Sequence, residues 1–514
     1  MTIRLVDLIH ESGLRAFDVC GDIETPVFGI SIHAQKTARG EAFVAINGTK
    51  VDSHILISEA VAAGATVLVV EKDLPAYPGV TTLRVPSTRF ALGPLVHAMN
   101  GNPARTMEVC GITGTNGKTT SSHLLASVLK EAGRKTGLIG TLGAYFGGKF
   151  VPLNTTTPGP QELAEIMAAM RGDGIDSVVM ECSSHAIDQG RINGITYKVG
   201  AFLGVTQDHL DYHGTFQSYV DCKKKFFTDY VAPTPGGLAC FNFDDPICED
   251  YAKTYMGNHI GYSRSRESNC GITAEGVQLT SRGTEFILNI NGGSAPVKSR
   301  FIGAFNVTNM LTAAACAHGF GLDVQTIAHG LENAPAVAGR FEFIDEGQPF
   351  SVVVDYAHTP DALERVLRTA RRLCSNRLIT VFGCGGDRDR LKRPIMGKAV
   401  GDATDFAIIT SDNPRTEDPT DIAYGIVEGI RQSTLKMNRH HVVLDRRQAI
   451  DQAINMACPG DVVVIAGKGH EDYQDIGSTR IPFDDRLVAR ESIRQVIGNF
   501  SRPAAVEIRK EQYT

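Results

Sequence analysis

The 514-residue chain has no tryptophan, few aromatic residues and no apolar run long enough to span a bilayer. Its eleven cysteines form no Cys-x-x-Cys pair, which predicts reduced thiols, with Cys110 and Cys182 as small buried side chains rather than ligands. The formal net charge is −6, so no basic field is present to hold nucleic acid. The first residues lack the charged and apolar regions of a signal peptide. These absences predict a cytoplasmic protein with no membrane insertion and no nucleic-acid partner.

The chain has enough apolar material for several cores, because 42% of its residues are hydrophobic. Its length predicts about three domains, at roughly 150 residues each. We expect an N-terminal domain at residues 1–100, a central domain at 101–337, a C-terminal domain at 338–500 and a polar tail at 501–514. The predicted strands are residues 42–46, 66–70, 176–181, 199–205, 351–355, 378–382, 406–410 and 461–466, and the predicted helices include 55–63, 87–100 and 309–319. Continuous apolar strands alternating with helices predict an α/β fold with parallel, doubly wound sheets.

The most informative segment is a glycine loop at residues 111–120, with the sequence Gly-Ile-Thr-Gly-Thr-Asn-Gly-Lys-Thr-Thr. An apolar strand precedes it, and apolar residues at helical spacing follow it. Such a loop directs backbone N–H groups at a phosphate, with Lys118 reaching the outer phosphates and Thr119 holding Mg²⁺. The strict P-loop pattern is not met, because Ile112 occupies its first glycine position. The segment still predicts a nucleoside triphosphate site.

Two segments near this loop carry side chains that could hold a cation. Glu181 lies at the carboxyl end of a predicted strand, where ligands of open α/β sheets bind. The segment Gln-Asp-His-Leu-Asp-Tyr-His-Gly at 207–214 also follows a strand, and His209 is its expected ligand. The alternative for Glu181 is a helix cap or a turn acid. The lysines at 223–225 fit a solvated basic helix face on their own evidence.

Four polar loops follow strands of the predicted C-terminal sheet and should meet at one edge of it. Arg388 and Arg415 offer planar forks for carboxylates, while Asp412 and Glu471 offer anions for an ammonium group. A site with both signs that faces a phosphate loop predicts a small zwitterion, such as an amino acid, as co-substrate. The loops lie at residues 355–361, 383–390, 411–417 and 467–471, and in the first of them Thr359 or Asp361 could merely cap a helix.

At these residues the chain resembles the Mur ligases, and specifically the MurE branch of UDP-N-acetylmuramoyl-dipeptide:amino-acid ligases of peptidoglycan synthesis. The likeness spans essentially the whole chain. Its most specific markers are residues 114–119, 181–185, 208–214, 355–360, 382–389, 412–415 and 467–471. The resemblance implies a UDP-sugar-binding N-terminal domain, a central P-loop ATPase-like domain and a C-terminal Rossmann-like domain.

The resemblance also implies the residues that serve ATP and Mg²⁺. Lys118, Glu181, His209, Lys223 and Arg340 are the implied catalytic residues. Lys223 matches the family lysine that becomes a carbamate (N6-carboxylysine), which replaces the solvated-face interpretation of Lys223 but not of its two neighbours. The implied ATP-binding residues are Gly114, Thr115, Asn116, Gly117, Lys118, Thr119, Thr120, Asn306, Asn309, Arg340 and Asp355, and the implied Mg²⁺ ligands are Thr119, Glu181, His209 and the Lys223 carbamate.

Two further residue sets follow from the resemblance. The implied contacts to the UDP-MurNAc-dipeptide are Asn154, Thr155, Thr156, Ser183, Gln189 and Arg191. Those to meso-2,6-diaminopimelate are Arg388, Asp412, Asn413, Pro414, Arg415, Gly467 and Glu471. Arg415 can bind the distal carboxylate of diaminopimelate, which L-lysine lacks. The chain departs from the family at residues 33–35, where His-Ala-Gln replaces the usual Asp-Ser-Arg, and at 203–205, where Leu-Gly-Val replaces Thr-Asn-Leu.

The predicted reaction is ATP-dependent amide formation between UDP-MurNAc-L-Ala-D-Glu and meso-2,6-diaminopimelate, through an acyl phosphate on the D-Glu γ-carboxylate, by a monomer. Three alternatives remain open at this point. The first is a sister ligase, either one that adds L-lysine or a folylpolyglutamate synthetase. The second is a MurE-like ligase of specialised metabolism with another acceptor, and the third is a phosphate-loop switch or binding module without ligase activity.

Overall fold

The computed structural model describes residues 2–15, 17–48, 51–265, 270–280 and 283–500. They form three consecutive α/β parts, each built on a sheet of its own. The predicted polar tail at 501–514 lies outside the described residues. None of the helices in the described part of the chain is long and apolar enough to cross a membrane.

The N-terminal part has a five-stranded sheet that is parallel apart from one edge strand. In spatial order its strands are Asp18–Cys20, which is the antiparallel edge, Thr81–Arg84, Val67–Val70, Ala42–Val44 and Ile30–Ser31. Ile3–Arg4 and Pro26–Val27 form a separate pair. The helices are Leu5–Ser12, Ile57–Ala63 and Thr88–Met99, with 3₁₀ turns at Ala34–Lys36, Ser53–Leu56 and Pro103–Thr106. Ser87 caps the Thr88–Met99 helix by accepting a hydrogen bond from the Phe90 N–H.

The central sheet has eleven strands, and its middle seven are parallel, as predicted. Antiparallel strands that the sequence analysis did not predict extend the sheet at both edges. Among them, Gly293–Ser299 alternates buried and exposed residues, which is typical of a strand with only one face against the core. In spatial order the strands are Lys149–Val151, Gly143–Phe146, Thr136–Gly140, Ser177–Glu181, Glu108–Thr113, Val199–Phe202, Leu238–Asn242, His259–Ser263, Ile272–Thr280, Gly283–Ile290 and Gly293–Ser299.

Helices cover both faces of the central sheet. They are Lys118–Glu131, Pro160–Gly172, Ser184–Asp188, Leu210–His213, Phe216–Phe226 with a π-helical continuation at Phe227–Val231, Pro246–Thr254, Ala304–Gly319 and Val324–Glu332. The Ala304–Gly319 helix begins five residues earlier than predicted, because its first turn carries polar residues that obscure the apolar pattern. Its apolar and small side chains pack in the core with those of Lys118–Glu131, directly behind the glycine loop.

The C-terminal part has a six-stranded sheet that is parallel except at one edge. In spatial order its strands are Glu342–Phe343, which is the antiparallel edge, Ser351–Asp355, Val462–Ala466, Leu378–Phe382, Phe406–Ile409 and His440–Val442. The helices are Pro360–Leu373, Lys392–Ala403, Pro419–Arg431, Arg446–Met456 and Asp485–Phe500, with a 3₁₀ turn at Met437–Arg439. A hairpin of Tyr473–Ile476 and Thr479–Pro482 lies beside the carboxyl ends of the strands. The four polar loops predicted from the sequence follow these carboxyl ends.

Candidate active site

The glycine loop joins the strand Glu108–Thr113 to the helix Lys118–Glu131, as its sequence predicts. Gly117 has a φ of 87°, and a Cβ atom there would lie 2.4 Å from Asn309 Oδ1, so the loop requires glycine at this position. The Lys118 ammonium donates to the carbonyl oxygens of Gly114 and Thr115, both at 3.0 Å. Burial lowers the pKa of Lys118. The loop therefore holds a cation that forms no ion pair with the described acidic residues.

Glu181 is buried at the end of its strand and accepts three hydrogen bonds. Its Oε2 accepts from the hydroxyls of Thr119 at 3.1 Å and Thr141 at 3.0 Å, and its Oε1 accepts from the Thr141 N–H at 2.9 Å. Arg340 in turn donates to the Thr119 hydroxyl at 3.1 Å. Hydroxyl and carboxylate oxygens are the donor atoms that Mg²⁺ prefers. The cap interpretation of Glu181 finds no support here, and Thr141 is a neighbour that the sequence analysis missed.

Lys223 points at the glycine loop from the Phe216–Phe226 helix. It is 1% exposed, and its Nζ donates to the Gly114 carbonyl oxygen at 3.0 Å and lies 4.7 Å from the Tyr219 ring centre. Burial, with the Lys118 charge as a smaller cause, lowers the pKa of Lys223 to about 7. The geometry is incompatible with a solvated basic face at this position.

His209 lies at the start of the short helix Leu210–His213, with a left-handed φ of 54°. Its ring is 4.9 Å from that of His185, and its backbone N–H donates to Asp208. Burial lowers its pKa, which favours the neutral, ligating form of the ring. In the described residues, no three or more His, Cys, Asp or Glu side chains are grouped as a metal site. The assignment of Thr119, Glu181 and His209 as cation ligands therefore stays a prediction.

The remaining predicted ATP residues surround the glycine loop in different ways. Asn309 donates to Asn306 Oδ1 at 3.0 Å, both asparagines are buried, and Asn309 lies against Gly117. Asn116 donates to Asp361 of the C-terminal part at 3.0 Å, so Asp361 links two domains, while Thr359 caps its helix. Thr120 is buried in the first turn of the helix that follows the loop, and the Thr115 hydroxyl donates to the Thr206 carbonyl oxygen.

Of the two predicted ATP residues of the C-terminal part, Arg340 reaches the glycine loop and the Asp355 carboxylate, among the described residues, bonds only to nearby backbone. The buried Asp355 accepts hydrogen bonds from the N–H groups of Phe341 and Ala357, each at 2.7 Å, and burial raises its pKa. Both carboxylate oxygens are therefore engaged with the backbone. The Arg340 guanidinium lies 4.5 Å from the Tyr356 ring centre and reaches the glycine loop through Thr119. Asp355 holds in place the segment from which Arg340 reaches the loop.

The predicted contacts to the UDP-MurNAc-dipeptide lie near Glu181. Arg191 donates to Gln189 Oε1 at 2.7 Å and to the Thr157 carbonyl oxygen at 3.1 Å. The Thr157 hydroxyl donates to the Glu181 carbonyl oxygen and accepts from the Ser183 N–H, so Thr157 connects the set although the sequence analysis missed it. Asn154 and Thr155 are exposed, and Thr156 shares a hydrogen bond with Thr141.

The segment at residues 33–35, where the chain departs from the family, lies at one edge of the N-terminal sheet. Gln35 bonds to Glu59 at 3.0 Å on the surface, and the His33 carbonyl oxygen accepts from Thr37. The segment forms the 3₁₀ turn Ala34–Lys36, which follows the edge strand Ile30–Ser31. The Ile30 carbonyl oxygen accepts a hydrogen bond from Gln161 of the central part, so this edge lies beside the central domain.

The predicted amino-acid residues converge at the carboxyl edge of the C-terminal sheet. Asn413 donates to Glu471 Oε2 at 3.0 Å. Arg415 has a left-handed φ of 51° and donates to the Gly386 carbonyl oxygen at 2.7 Å. Asp412 and Pro414 are buried, Gly467 packs against Asp412, and Arg388 is exposed at the rim. Lys468, which the sequence analysis gave no role, bonds to both Asn413 and Glu471.

A buried ion pair holds the strand ends that carry this pocket. The side chains of Arg446 and Asp485 are both 0% exposed, and they form two hydrogen bonds of 2.7 Å. Arg446 also donates to the carbonyl oxygens of Ala466 at 3.0 Å, directly before one pocket loop, and of Ser411 at 3.3 Å, the first residue of the other. No local pattern pointed to this pair, because its members are 39 residues apart.

Comparison with known proteins decides the family. A model described as "Mur ligase middle domain" matches residues 112–317, and one described as "Mur ligase, glutamate ligase domain" matches 339–469. A Geobacillus kaustophilus protein named UDP-N-acetylmuramoyl-L-alanyl-D-glutamate–2,6-diaminopimelate ligase is 40% identical over 473 residues, covering 91% of this chain and 95% of its own. The chain belongs to the Mur ligase family.

Two further comparisons extend the likeness of this Mur ligase to nearly its full length. A Syntrophomonas wolfei protein of the same name is 39% identical over 494 residues, covering 96% of this chain and 99% of its own. A solved structure of an enzyme with that name is 32% identical, with a TM-score of 0.69, and covers 97% of this chain and 100% of the other. The predicted family, α/β fold class and ATP-dependent ligase activity are confirmed. The domain limits and the roles of individual residues stay predictions.

Proposed function

We propose that this Mur ligase joins meso-2,6-diaminopimelate to the D-Glu γ-carboxylate of UDP-MurNAc-L-Ala-D-Glu in peptidoglycan synthesis, with ATP as co-substrate. The observation that carries the proposal is the hydrogen bond from Arg340 to Thr119, because it brings the C-terminal part against the glycine loop. The proposal includes domain limits at 1–100, 101–337 and 338–500, a monomeric state and a cytoplasmic location.

The reaction needs phosphoryl transfer because a free carboxylate has no good leaving group. The D-Glu γ-carboxylate attacks the γ-phosphate of ATP, which gives an acyl phosphate and ADP. The amine of diaminopimelate then attacks the acyl carbon, and phosphate leaves from a tetrahedral intermediate. The chain contributes mainly positioning and charge, with Lys118 and Arg340 as the cations that contact the phosphates. Arg191, Gln189 and Ser183 hold the dipeptide end of the first substrate.

Mg²⁺ fits the donor atoms at this site. Thr119 and Glu181 offer hard oxygens, and the neutral ring of His209 offers a nitrogen. Bound there, Mg²⁺ supplies charge neutralisation for the phosphates. Thr141 already holds Glu181 through two hydrogen bonds from neutral groups, which position the carboxylate and leave its negative charge uncompensated.

Carbamylation of Lys223 is part of the proposal. Its amine is buried against the Gly114 carbonyl oxygen and forms no ion pair with a described carboxylate, and a neutral amine is the form that reacts with CO₂. The carbamate is anionic and would support a second Mg²⁺ that an ammonium group would repel. With ¹³C-bicarbonate, the NMR spectrum should show a protein-bound carbamate signal that Lys223→Ala abolishes together with turnover. Unchanged turnover in Lys223→Ala would remove Lys223 from the mechanism.

The choice of amino acid depends on the Asp-Asn-Pro-Arg loop. In this proposal Arg415 binds the distal carboxylate of diaminopimelate, while Arg388 at the rim and Asp412, Asn413, Pro414, Gly467 and Glu471 surround the amino-acid head. L-lysine has no second carboxylate and would leave the Arg415 guanidinium unpaired. Discrimination of this kind reaches about 10⁴-fold in polar sites.

The test is phosphate release by the purified protein with UDP-MurNAc-L-Ala-D-Glu, ATP and Mg²⁺, offering either meso-2,6-diaminopimelate or L-lysine. We expect turnover with diaminopimelate that exceeds turnover with L-lysine by at least about a hundred-fold. Arg415→Met should abolish most of this preference, whereas Arg431→Met, an exposed arginine at a helix end, should preserve it. Release with L-lysine alone would reject the specificity. Activity only on a different acid would favour a ligase of specialised metabolism.

A further inference from the structure

Lys468 lies at the centre of the amino-acid pocket although no substrate role has been given to it. It is 0% exposed, and its Nζ donates to Glu471 Oε2 at 2.9 Å and to Asn413 Oδ1 at 3.0 Å. The ring centre of Tyr473 lies 5.3 Å from the same nitrogen. A single buried cation thus joins the loop at 411–417 to the loop at 467–471.

The two acids of the pocket differ in how they are paired. Glu471 is compensated by Lys468, and its oxygens also accept from Asn413 at 3.0 Å and from the Tyr356 hydroxyl at 3.4 Å. Asp412 is 8% exposed, and its carboxylate makes no hydrogen bond or ion pair with the residues that the structure describes. The pocket therefore presents one neutralised acid and one acid that is ready for an ammonium group.

Gly467 shows how closely the unpaired acid is held. A Cβ atom at position 467 would lie 2.5 Å from Asp412 Oδ2, and the φ of Gly467 is 117°. A side chain there would displace the carboxylate, so this position requires glycine. The backbone of one pocket loop thus fixes the acid of the other, while Lys468 fixes the side chains of Asn413 and Glu471.

The charges of the two competing amino acids differ. At neutral pH diaminopimelate carries two ammonium and two carboxylate groups, whereas L-lysine carries an extra positive charge because it has one carboxylate. Arg388, Arg415 and Lys468 are the cations of the pocket, and Asp412 and Glu471 are its anions, with Asp387 and Asp475 close to the same cations. The positive charge of Lys468 disfavours the cationic amino acid, and its loss would make the pocket more negative and more favourable for L-lysine.

We propose that Lys468 is a positioning residue that determines specificity by charge. Resting on the proposed function, this inference assigns to Lys468 the neutralisation of Glu471, which leaves Asp412 as the anion for the substrate ammonium and keeps the pocket unfavourable for L-lysine. Lys468 acts through Glu471 and Asn413 rather than by touching the substrate. A structural role alone would alter binding of both amino acids in the same direction.

The test compares the KM for meso-2,6-diaminopimelate with the inhibition constant of L-lysine against it. In Lys468→Met the preference for diaminopimelate, taken as the ratio of the two constants, should fall at least ten-fold, while the KM for ATP stays within about two-fold. In Glu471→Gln the same preference should rise, because Lys468 is then uncompensated. In the double variant it should return toward the wild-type value. Lys398→Met removes an exposed lysine that pairs with Asp402 and serves as the matched control.

The two single variants are predicted to change the preference in opposite directions, which keeps the test decisive. If Lys468→Met fails to fold, Glu471→Gln and the double variant still give the predicted rise and return. A preference within two-fold of wild type in folded Lys468→Met, or a fall in Glu471→Gln, overturns the inference. A wild-type enzyme that turns over neither amino acid contradicts the proposed function instead, so the two failures are distinguishable.

Discussion

The central and C-terminal parts treat buried and half-buried cations in opposite ways. Lys118 and Lys223 of the central part bond only to backbone carbonyl oxygens, and the pKa of each is lowered. In the C-terminal part, Lys468 is paired with Glu471 and Arg446 with Asp485, and all four side chains are held by short hydrogen bonds. These two lysines of the central part therefore lack, among the described residues, the acidic partner that Lys468 and Arg446 have.

The difference indicates what each part binds. A buried cation without an acid is costly, and an incoming polyanion such as a nucleotide phosphate removes that cost on binding. A pocket that is already internally paired can instead recognise a zwitterion by the placement of its remaining groups, which in the proposed function are Asp412 and Arg415. Under the same proposal Lys118 supplies binding energy for phosphate, and the paired residues supply a rigid shape for the amino acid.

The largest predicted effect comes from removing an unpaired cation. Lys118→Met should lower turnover by about a thousand-fold or more, because charge that develops on the transferred phosphoryl group loses its nearest cation. The melting temperature should stay level or rise, because a partly buried charge without an acid partner is removed. Steady-state kinetics and thermal unfolding check the two halves of this prediction.

Lys130→Met, at the exposed end of the same helix, is the control and should leave both quantities unchanged. A Lys118→Met protein that loses stability and activity together would contradict the contrast between unpaired and paired cations.

For the buried ion pair of the C-terminal part, removal of the cation is predicted to lower stability. Arg446→Met should lower the free energy of unfolding by about 3–5 kcal/mol, because Asp485 is left buried and uncompensated. Arg446→Met with Asp485→Leu should recover most of that stability, since both charges are then gone. The KM for diaminopimelate should stay raised in the double variant, because the carbonyl oxygens of Ser411 and Ala466 lose their donor.

Chemical denaturation and amino-acid kinetics measure these two quantities. If the double variant is as unstable as the single one, the destabilisation does not come from the unpaired charge.

The smallest effect concerns an unpaired group in the N-terminal part. His97 is buried in the Thr88–Met99 helix, neither of its ring nitrogens has a hydrogen-bond partner, and burial lowers its pKa from 6.5 to about 4. The unfolded chain therefore takes up a proton at a higher pH than the folded one, and stability is lost as pH falls from about 6.5 toward 4. Between pH 7 and pH 5 this amounts to about 2 kcal/mol.

His97→Leu should flatten the dependence of unfolding free energy on pH by that amount, while His10→Gln, on the surface, should not. Denaturation curves at several pH values provide the measurement. An unchanged slope in His97→Leu would show that this ring is paired in solution and would remove it from the comparison.

The sequence predicted those features that local chemistry dictates. The strand, glycine loop and helix around Lys118 could be predicted because the left-handed Gly117 and the helical apolar spacing are both local. The parallel strands Ser351–Asp355 and Leu378–Phe382 have their predicted limits, because continuous apolar runs mark strands buried on both faces. The antiparallel pairing of Ile272–Thr280 with Gly283–Ile290 was missed, since a register shift after Glu275 interrupts the alternating pattern of the first strand.

Individual hydrogen bonds between distant segments could not be predicted. The links from Arg340 to Thr119 and from Asn116 to Asp361 join residues more than 200 positions apart, and no periodicity encodes them. Lys468 stood inside a recognised motif, yet only its burial between two loops shows that its charge is internally compensated. The one local signal in the sequence was the acid Glu471, three residues after Lys468.

We propose two steps: the central part transfers a phosphoryl group from ATP to a carboxylate, and the C-terminal part then brings an amine to the resulting acyl phosphate. The most direct measurement labels the D-Glu γ-carboxylate of the UDP-dipeptide with ¹⁸O and follows the label during turnover. We predict that one labelled oxygen appears in the released phosphate for each amide bond formed. Released phosphate without label would contradict the acyl phosphate and with it the proposed division of work between the two parts.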